Sequence, residues 1–91
     1  MYYVIQAYMF DAFFSAVEVV GENQQNRPDL TDYSSLLKEC YEKDIYKVII
    51  SGNNVEYLTG LVDSVKFLEN EMFGENKIQY QVMQMAEVIP V

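Results

Sequence analysis

Hydrophobic and polar residues alternate along the chain in blocks that predict six secondary-structure elements separated by short turns. The first block, residues 2–10 (YYVIQAYMF), is rich in aromatic and β-branched residues, which favours a strand. Two more strands are predicted at residues 46–50 (YKVII) and at the alternating residues 77–88 (KIQYQVMQMAEV), the last of which Pro90 ends. The pattern therefore predicts three strands.

The segment after the first strand has two interpretations. In the first, residues 11–20 form a helix that Asp11 caps and that Gly21 follows. In the second, the chain makes a hairpin turn at residues 11 and 12, which would place Glu18 opposite Ile5 in a paired strand. Because a carboxylate opposite an apolar side chain is unfavourable, the helix is preferred here.

The second and third helices follow from apolar residues that recur every three or four positions. The second begins at Asp29 or Thr31 and ends at Lys43, and the third begins after its cap Asn53 and ends at Gly74. The expected order is β-α-α-β-α-β. All 91 residues, from 1 to 91, are thus expected to form a single compact α+β domain, with three helices packed on a small three-stranded sheet.

The predicted sheet carries more apolar side chains than one thin core can hold. Tyr2, Tyr8, Phe10, Met83 and Met85 cannot all face the helices. One interpretation is irregular packing of these side chains against the helices. The other is a homodimer interface, formed by the first strand, the last strand or the sheet face away from the helices.

The charge of the chain bears on its function. Fourteen acidic residues against six basic ones give a net charge of −8. This charge repels phosphate backbones, so we expect no direct binding to nucleic acid. It also attracts basic surfaces, most of which, on intracellular proteins, face nucleic acid. The alternative is that the acidity only keeps a small protein soluble.

Signatures of catalysis are missing from the sequence. The chain has no histidine and one cysteine, Cys40, which removes the commonest general base and the usual zinc sites. We therefore expect no enzymatic activity, no metal and no cofactor, and we expect Cys40 to be a buried, inert thiol. No signal-peptide pattern and no apolar run long enough to span a bilayer occur, so a cytoplasmic location is expected.

The carboxylates recur at helical spacings on the three predicted helices. Side chains four and seven positions apart on a helix are about 6 and about 10 Å apart, a scale similar to that of phosphates along a DNA strand. Tyr57, next to one of them and off the apolar stripe, is expected to be exposed and to anchor an interface. The predicted partner-binding carboxylates are Asp11, Glu18, Glu22, Asp32, Glu39, Glu42, Glu56, Asp63, Glu69, Glu71 and Glu75.

In size, acidity, lack of catalytic residues and mixed α+β pattern, the chain resembles small acidic phage proteins that imitate DNA, in particular the Arn anti-restriction proteins of T-even phages. The resemblance implies a homodimeric DNA mimic in the host bacterial cytoplasm. Its partner would be a basic DNA-binding host protein, either a defence protein such as a McrBC-like restriction endonuclease or a nucleoid protein. The competing interpretation is an acidic adaptor or assembly module that binds through an apolar or tyrosine-rich strand edge.

Overall fold

A computed structural model of the chain describes residues 1–9 and 14–84, which form a five-stranded mixed sheet and two helices. The strands are β1 (Tyr2–Gln6), β2 (Ser15–Val20), β3 (Asn23–Asn26), β4 (Lys47–Gly52) and β5 (Gln79–Gln84). The helices are α1 (Tyr33–Glu42) and α2 (Val55–Phe73). The α+β class agrees with the sequence, but the predicted three-stranded sheet with three helices is wrong.

The sheet has the strand order β3-β2-β1-β4-β5. Its centre, β1, pairs antiparallel with β2 and parallel with β4. On one side β3 runs antiparallel to β2, and on the other β5 runs parallel to β4. Among the described residues, β3 and β5 are therefore the two edges of the sheet.

The described part of the segment predicted as the first helix, residues 14–20, contains β2, which forms a hairpin with β1. Its β-branched residues at 17, 19 and 20 suit a strand, and its register places Glu18 opposite Tyr3 and Ala16 opposite Ile5. The objection to a hairpin was therefore wrong, because it assumed a register in which Glu18 lies opposite Ile5. Glu18 also forms ion pairs with Arg27 and Lys43. Asp11, the predicted helix cap, lies outside the described residues.

The polar residues 22–28, for which the sequence pattern predicts no helix or strand, contain β3. Its four residues, Asn-Gln-Gln-Asn, are all exposed, so it has no apolar alternation to mark it as a strand. Pairing with β2 holds it in the sheet, from Val17 opposite Asn26 to Val20 opposite Asn23. A turn at Gly21 connects the two strands.

The helix boundaries follow local capping chemistry. Asp32 caps α1 by accepting a 2.7 Å hydrogen bond from the Ser35 backbone N–H. The cap of α2 is Asn54 and not the predicted Asn53, and Gly74 ends α2 as predicted, with a left-handed φ of 72°. Among the described residues, no helix combines the length and apolar character needed to cross a membrane.

Both helices pack on the same face of the sheet. The buried cluster joins Tyr3 and Ile5 of β1 and Ile50 of β4 to Leu37 of α1 and Leu58 of α2. The core is therefore a single layer between the sheet and the helices. At its edge, the ends of β1 and β4 approach so closely that a Cβ added to Gly52 would lie 2.1 Å from the Ala7 carbonyl oxygen.

The other face of the sheet is named here the open face. At its centre lie five apolar side chains, which the register places on the side away from the helices. They are Tyr2, Val4, Val17, Val19 and Ile49. Four of them are half-buried and Val19 is buried, although none belongs to the core between the helices and the sheet.

Candidate partner-binding surface

Two of the predicted binding carboxylates belong to an internal ion-pair cluster. The Arg27 guanidinium donates a 2.9 Å hydrogen bond from Nη1 to Glu18 and another from Nη2 to Glu39. The Lys43 ammonium lies 3.4 Å from Glu18 and 3.6 Å from Glu39. The Tyr3 hydroxyl donates to Glu39, and burial together with this contact raises the pKa of Tyr3. Glu18 and Glu39 thus join β2, the β3–α1 loop and α1.

A third predicted carboxylate, Glu69, is fully buried. It accepts hydrogen bonds from the Tyr41 hydroxyl at 2.6 Å, the Tyr80 hydroxyl at 2.9 Å and the backbone N–H groups of Lys77 and Ile78 at 2.8 and 3.1 Å. Burial alone would raise the pKa of Glu69, but these hydrogen bonds outweigh it and lower that pKa. The prediction that Glu69 lies on an open surface is therefore wrong. Its carboxylate instead connects the α2–β5 loop to both helices.

The outer face of α2 carries the most regular set of free carboxylates. Glu56, Asp63 and Glu71 are all exposed, and none forms an ion pair with a residue in the described parts of the chain. At about 100° per residue they fall within an arc of about 80°, and the outer two are about 22 Å apart along the axis. Lys66 lies beside this arc. We call Glu56, Asp63, Phe67 and Glu71 the acidic face.

At the centre of the acidic face lies an aromatic side chain that the sequence reasoning missed. Phe67 is 69% exposed, more than any other large hydrophobic residue in the described part of the chain. It lies four residues from both Asp63 and Glu71 on the helix, so carboxylates flank it on two successive turns. In the sequence, Phe67 falls outside the apolar stripe of the third predicted helix, and this position could have identified it as an exposed aromatic residue.

The remaining predicted residues are scattered. Glu22 is exposed in the β2–β3 turn, and Glu42 is exposed at the end of α1. Asp32 is exposed but acts as the cap of α1, and Glu75 forms a 3.2 Å ion pair with Lys77. Tyr57, expected to be exposed, is half-buried against the core. The structure does not bring these residues together with the acidic face into one row.

The one cysteine is buried, and the carboxylates of the described residues form no metal-binding group. Cys40 is fully buried on α1, as predicted, and burial raises the pKa of its thiol to about 12. Within residues 1–9 and 14–84, no group of acidic or cysteine side chains is placed to hold a metal ion. Comparisons with known protein families, with curated proteins and with solved structures find no match to the chain.

Proposed function

We propose that the protein is a non-catalytic inhibitor that binds the DNA-binding surface of another protein through the acidic face of α2. The observation that carries this proposal is the row of exposed Glu56, Asp63 and Glu71 around the exposed Phe67, with no ion pair from these carboxylates to the described residues. A surface built for nucleic acid offers Lys and Arg for phosphates and planar or apolar groups for bases. The acidic face presents complements of both kinds.

The spacing of the carboxylates supports imitation of a phosphate backbone. Glu56 and Asp63 are about 10 Å apart along the axis of α2, and Asp63 and Glu71 are about 12 Å apart. Phosphates on one DNA strand advance about 3.4 Å each along the duplex axis while winding around it, so the carboxylate intervals are on the scale of one to a few phosphate steps. A continuous helix of 19 residues can hold this spacing.

The distribution of charge also supports a directional interface. The open face carries no carboxylate among the described strand residues, and Lys47 is its one charged side chain there. The exposed carboxylates of α1 and α2 instead lie on the other side of the sheet, and Glu22 lies in the turn between β2 and β3. A basic partner is therefore steered towards the helices, because long-range attraction acts on the orientation of the encounter.

Charge reversal on the acidic face tests the proposal. The double variant Glu56→Lys/Asp63→Lys is compared with the control Glu22→Lys/Glu42→Lys, which makes the same change in net charge elsewhere. Proteins captured from a bacterial lysate on each immobilised variant are quantified at about 50 and about 200 mM salt. We expect the acidic-face variant to lose most of the salt-sensitive capture and the control to keep most of it.

Equal losses in both double variants would mean that only net charge matters, and the acidic face would not be the binding site. Capture that is unchanged by either variant and by salt would instead support an adaptor that binds through the open face or a sheet edge. The competing adaptor has one specific observation in its favour, namely the apolar side chains at the centre of the open face.

We also propose that a second copy of the chain covers the open face. The face lacks carboxylates, so two molecules of net charge −8 approach there with the least repulsion. Five strands about 4.8 Å apart and between about 13 and about 20 Å long give roughly 900 Å² for two copies, close to the about 1,000 Å² that a specific interface needs. Such a dimer would place one acidic face on each of its two outer sides.

A further inference from the structure

Three aromatic side chains gather where the C-terminal ends of the two helices meet. The ring of Tyr41, in the last turn of α1, stacks on Phe73, the last residue of α2, with centroids 3.7 Å apart and planes at 6°. The ring of Tyr46 stands edge-on to Tyr41, with centroids 5.6 Å apart and planes at 83°. Tyr41 and Tyr46 thus form two walls at nearly a right angle, named here the aromatic corner.

A cation already occupies the aromatic corner. The ammonium of Lys77 lies 6.0 Å from the centroid of Tyr41 and 5.6 Å from that of Tyr46. The same ammonium forms a 3.2 Å ion pair with Glu75, and the side chains of both residues are half exposed. The corner is therefore open to solvent, and its occupant belongs to the loop between α2 and β5.

The electrostatics of the corner favour a positive charge. Aromatic faces attract cations, and the C-terminal end of a helix carries partial negative charge. Neither α1 nor α2 has a basic residue in its last turn. Asp44 adds a second exposed carboxylate, which accepts a 2.9 Å hydrogen bond from the Tyr46 hydroxyl. The Lys77 ammonium thus faces two rings and the Glu75 carboxylate, with the Asp44 carboxylate bound to the hydroxyl of one of these rings.

We propose that the aromatic corner is a binding site for a lysine or arginine side chain of the basic partner, with Lys77 as its internal occupant. On binding, the partner's cation takes the place of the Lys77 ammonium over Tyr41 and Tyr46, and Lys77 moves into solvent. This inference rests on the proposed function, because it requires a basic partner. It adds a binding site for one side chain beyond the end of the acidic face.

Displacement of Lys77 has a specific consequence. Because the occupant and the ligand compete for the same rings, removing the Lys77 charge should strengthen the binding of an external cation. If Lys77 instead only holds the α2–β5 loop in place, its removal should leave cation binding at the corner unchanged. The variant Lys77→Gln separates these two roles, and Lys66→Gln removes the same charge from the exposed side of α2 as a matched control.

The experiment titrates an acetylated hexa-arginine peptide into the wild type, Lys77→Gln and Lys66→Gln, and follows the ring-proton NMR signals of Tyr41 and Tyr46. We expect Lys77→Gln to bind several-fold more tightly than Lys66→Gln, with saturable shifts of both rings. Equal affinities in the two variants, or shifts that leave these rings unaffected, would overturn the proposal. The NMR spectrum also shows directly that each variant is folded.

A second arm separates this site from the proposed function. In Glu56→Lys/Asp63→Lys combined with Lys77→Gln, the peptide should still shift the Tyr41 and Tyr46 rings, because the corner does not use the acidic face. Persisting shifts together with unchanged partner capture by Glu56→Lys/Asp63→Lys would support the corner and reject the acidic face. Loss of the ring shifts in this combined variant would count against the corner as a separate site.

Discussion

The Tyr41 hydroxyl donates a 2.6 Å hydrogen bond to Oε2 of Glu69, so the end of α1 is bound to a buried carboxylate of α2. The same oxygen accepts the backbone N–H groups of Lys77 and Ile78, which begin the path into β5. One side chain therefore fixes the relative positions of both helices and the edge strand. An acidic residue that the sequence suggested for partner binding acts instead inside the fold.

Replacing this carboxylate should destabilise the protein. In Glu69→Gln, one acceptor oxygen becomes an NH₂ group, which leaves buried donors without partners, at an expected cost of about 2–3 kcal/mol. The control Glu71→Gln changes an exposed carboxylate on the same helix and should stay within about 0.5 kcal/mol of the wild type. Urea denaturation monitored by circular dichroism measures both. Equal stabilities of the two variants would contradict the structural role of Glu69.

The stability of the protein should also depend on pH through the ionisation of Glu69. The pKa of Glu69 is lowered in the folded protein, whereas an unfolded glutamate titrates near about 4.3. Its contribution to stability is therefore fully present above about pH 4.3 and is lost as the pH falls through the folded pKa. Between about pH 6 and 3, the free energy of unfolding should fall more steeply in the wild type than in Glu69→Gln. Parallel curves would mean that Glu69 is not the titrating group.

The parts of the fold with a clear periodicity were predictable from the sequence. The apolar stripe of α2 and its end at Gly74 were expected, and so was the burial of Cys40. Local signals of this kind depend on one element alone. The class of the fold followed from them, but the number of strands did not.

The errors arose where distant contacts decide the structure. β3 has no apolar residue, and only its pairing with β2 makes it a strand. Glu18 looked incompatible with a hairpin because Arg27 and Lys43, which neutralise it, come from other elements. Helical spacing also could not show that Glu69 turns inward, since its donors include residues of α1 and β5.

The ion-pair cluster around Arg27 should be more important for stability than any exposed charge. In Arg27→Met, Glu18 and Glu39 would lie close together with only Lys43 to neutralise them, and the expected cost is about 3 kcal/mol. Adding Glu18→Gln to this variant should recover part of the loss, because it removes one of the two repelling charges. Urea denaturation compares the single and double variants. No recovery in the double variant would contradict this account of the cluster.

The proposed dimer predicts a measurable mass. Light scattering at micromolar concentration should give twice the chain mass of 10.6 kDa. A lysine at the centre of the open face, in Val4→Lys or Val17→Lys, should produce a monomer, because each interface would bury two unpaired charges. The control Val55→Lys changes an exposed valine on α2 and should leave the dimer intact. A wild-type protein that is monomeric at every concentration would exclude the second copy as the occupant of this face.

The most direct test of the central claim is displacement of DNA from the partner. A protein captured through the acidic face is isolated at high salt and bound to labelled duplex DNA, and the wild-type protein is then titrated into the complex in a gel-shift assay. If both ligands occupy one basic surface, DNA is released as the protein is added, and Glu56→Lys/Asp63→Lys releases it several-fold less effectively. A stable ternary complex of partner, DNA and this protein would contradict DNA mimicry.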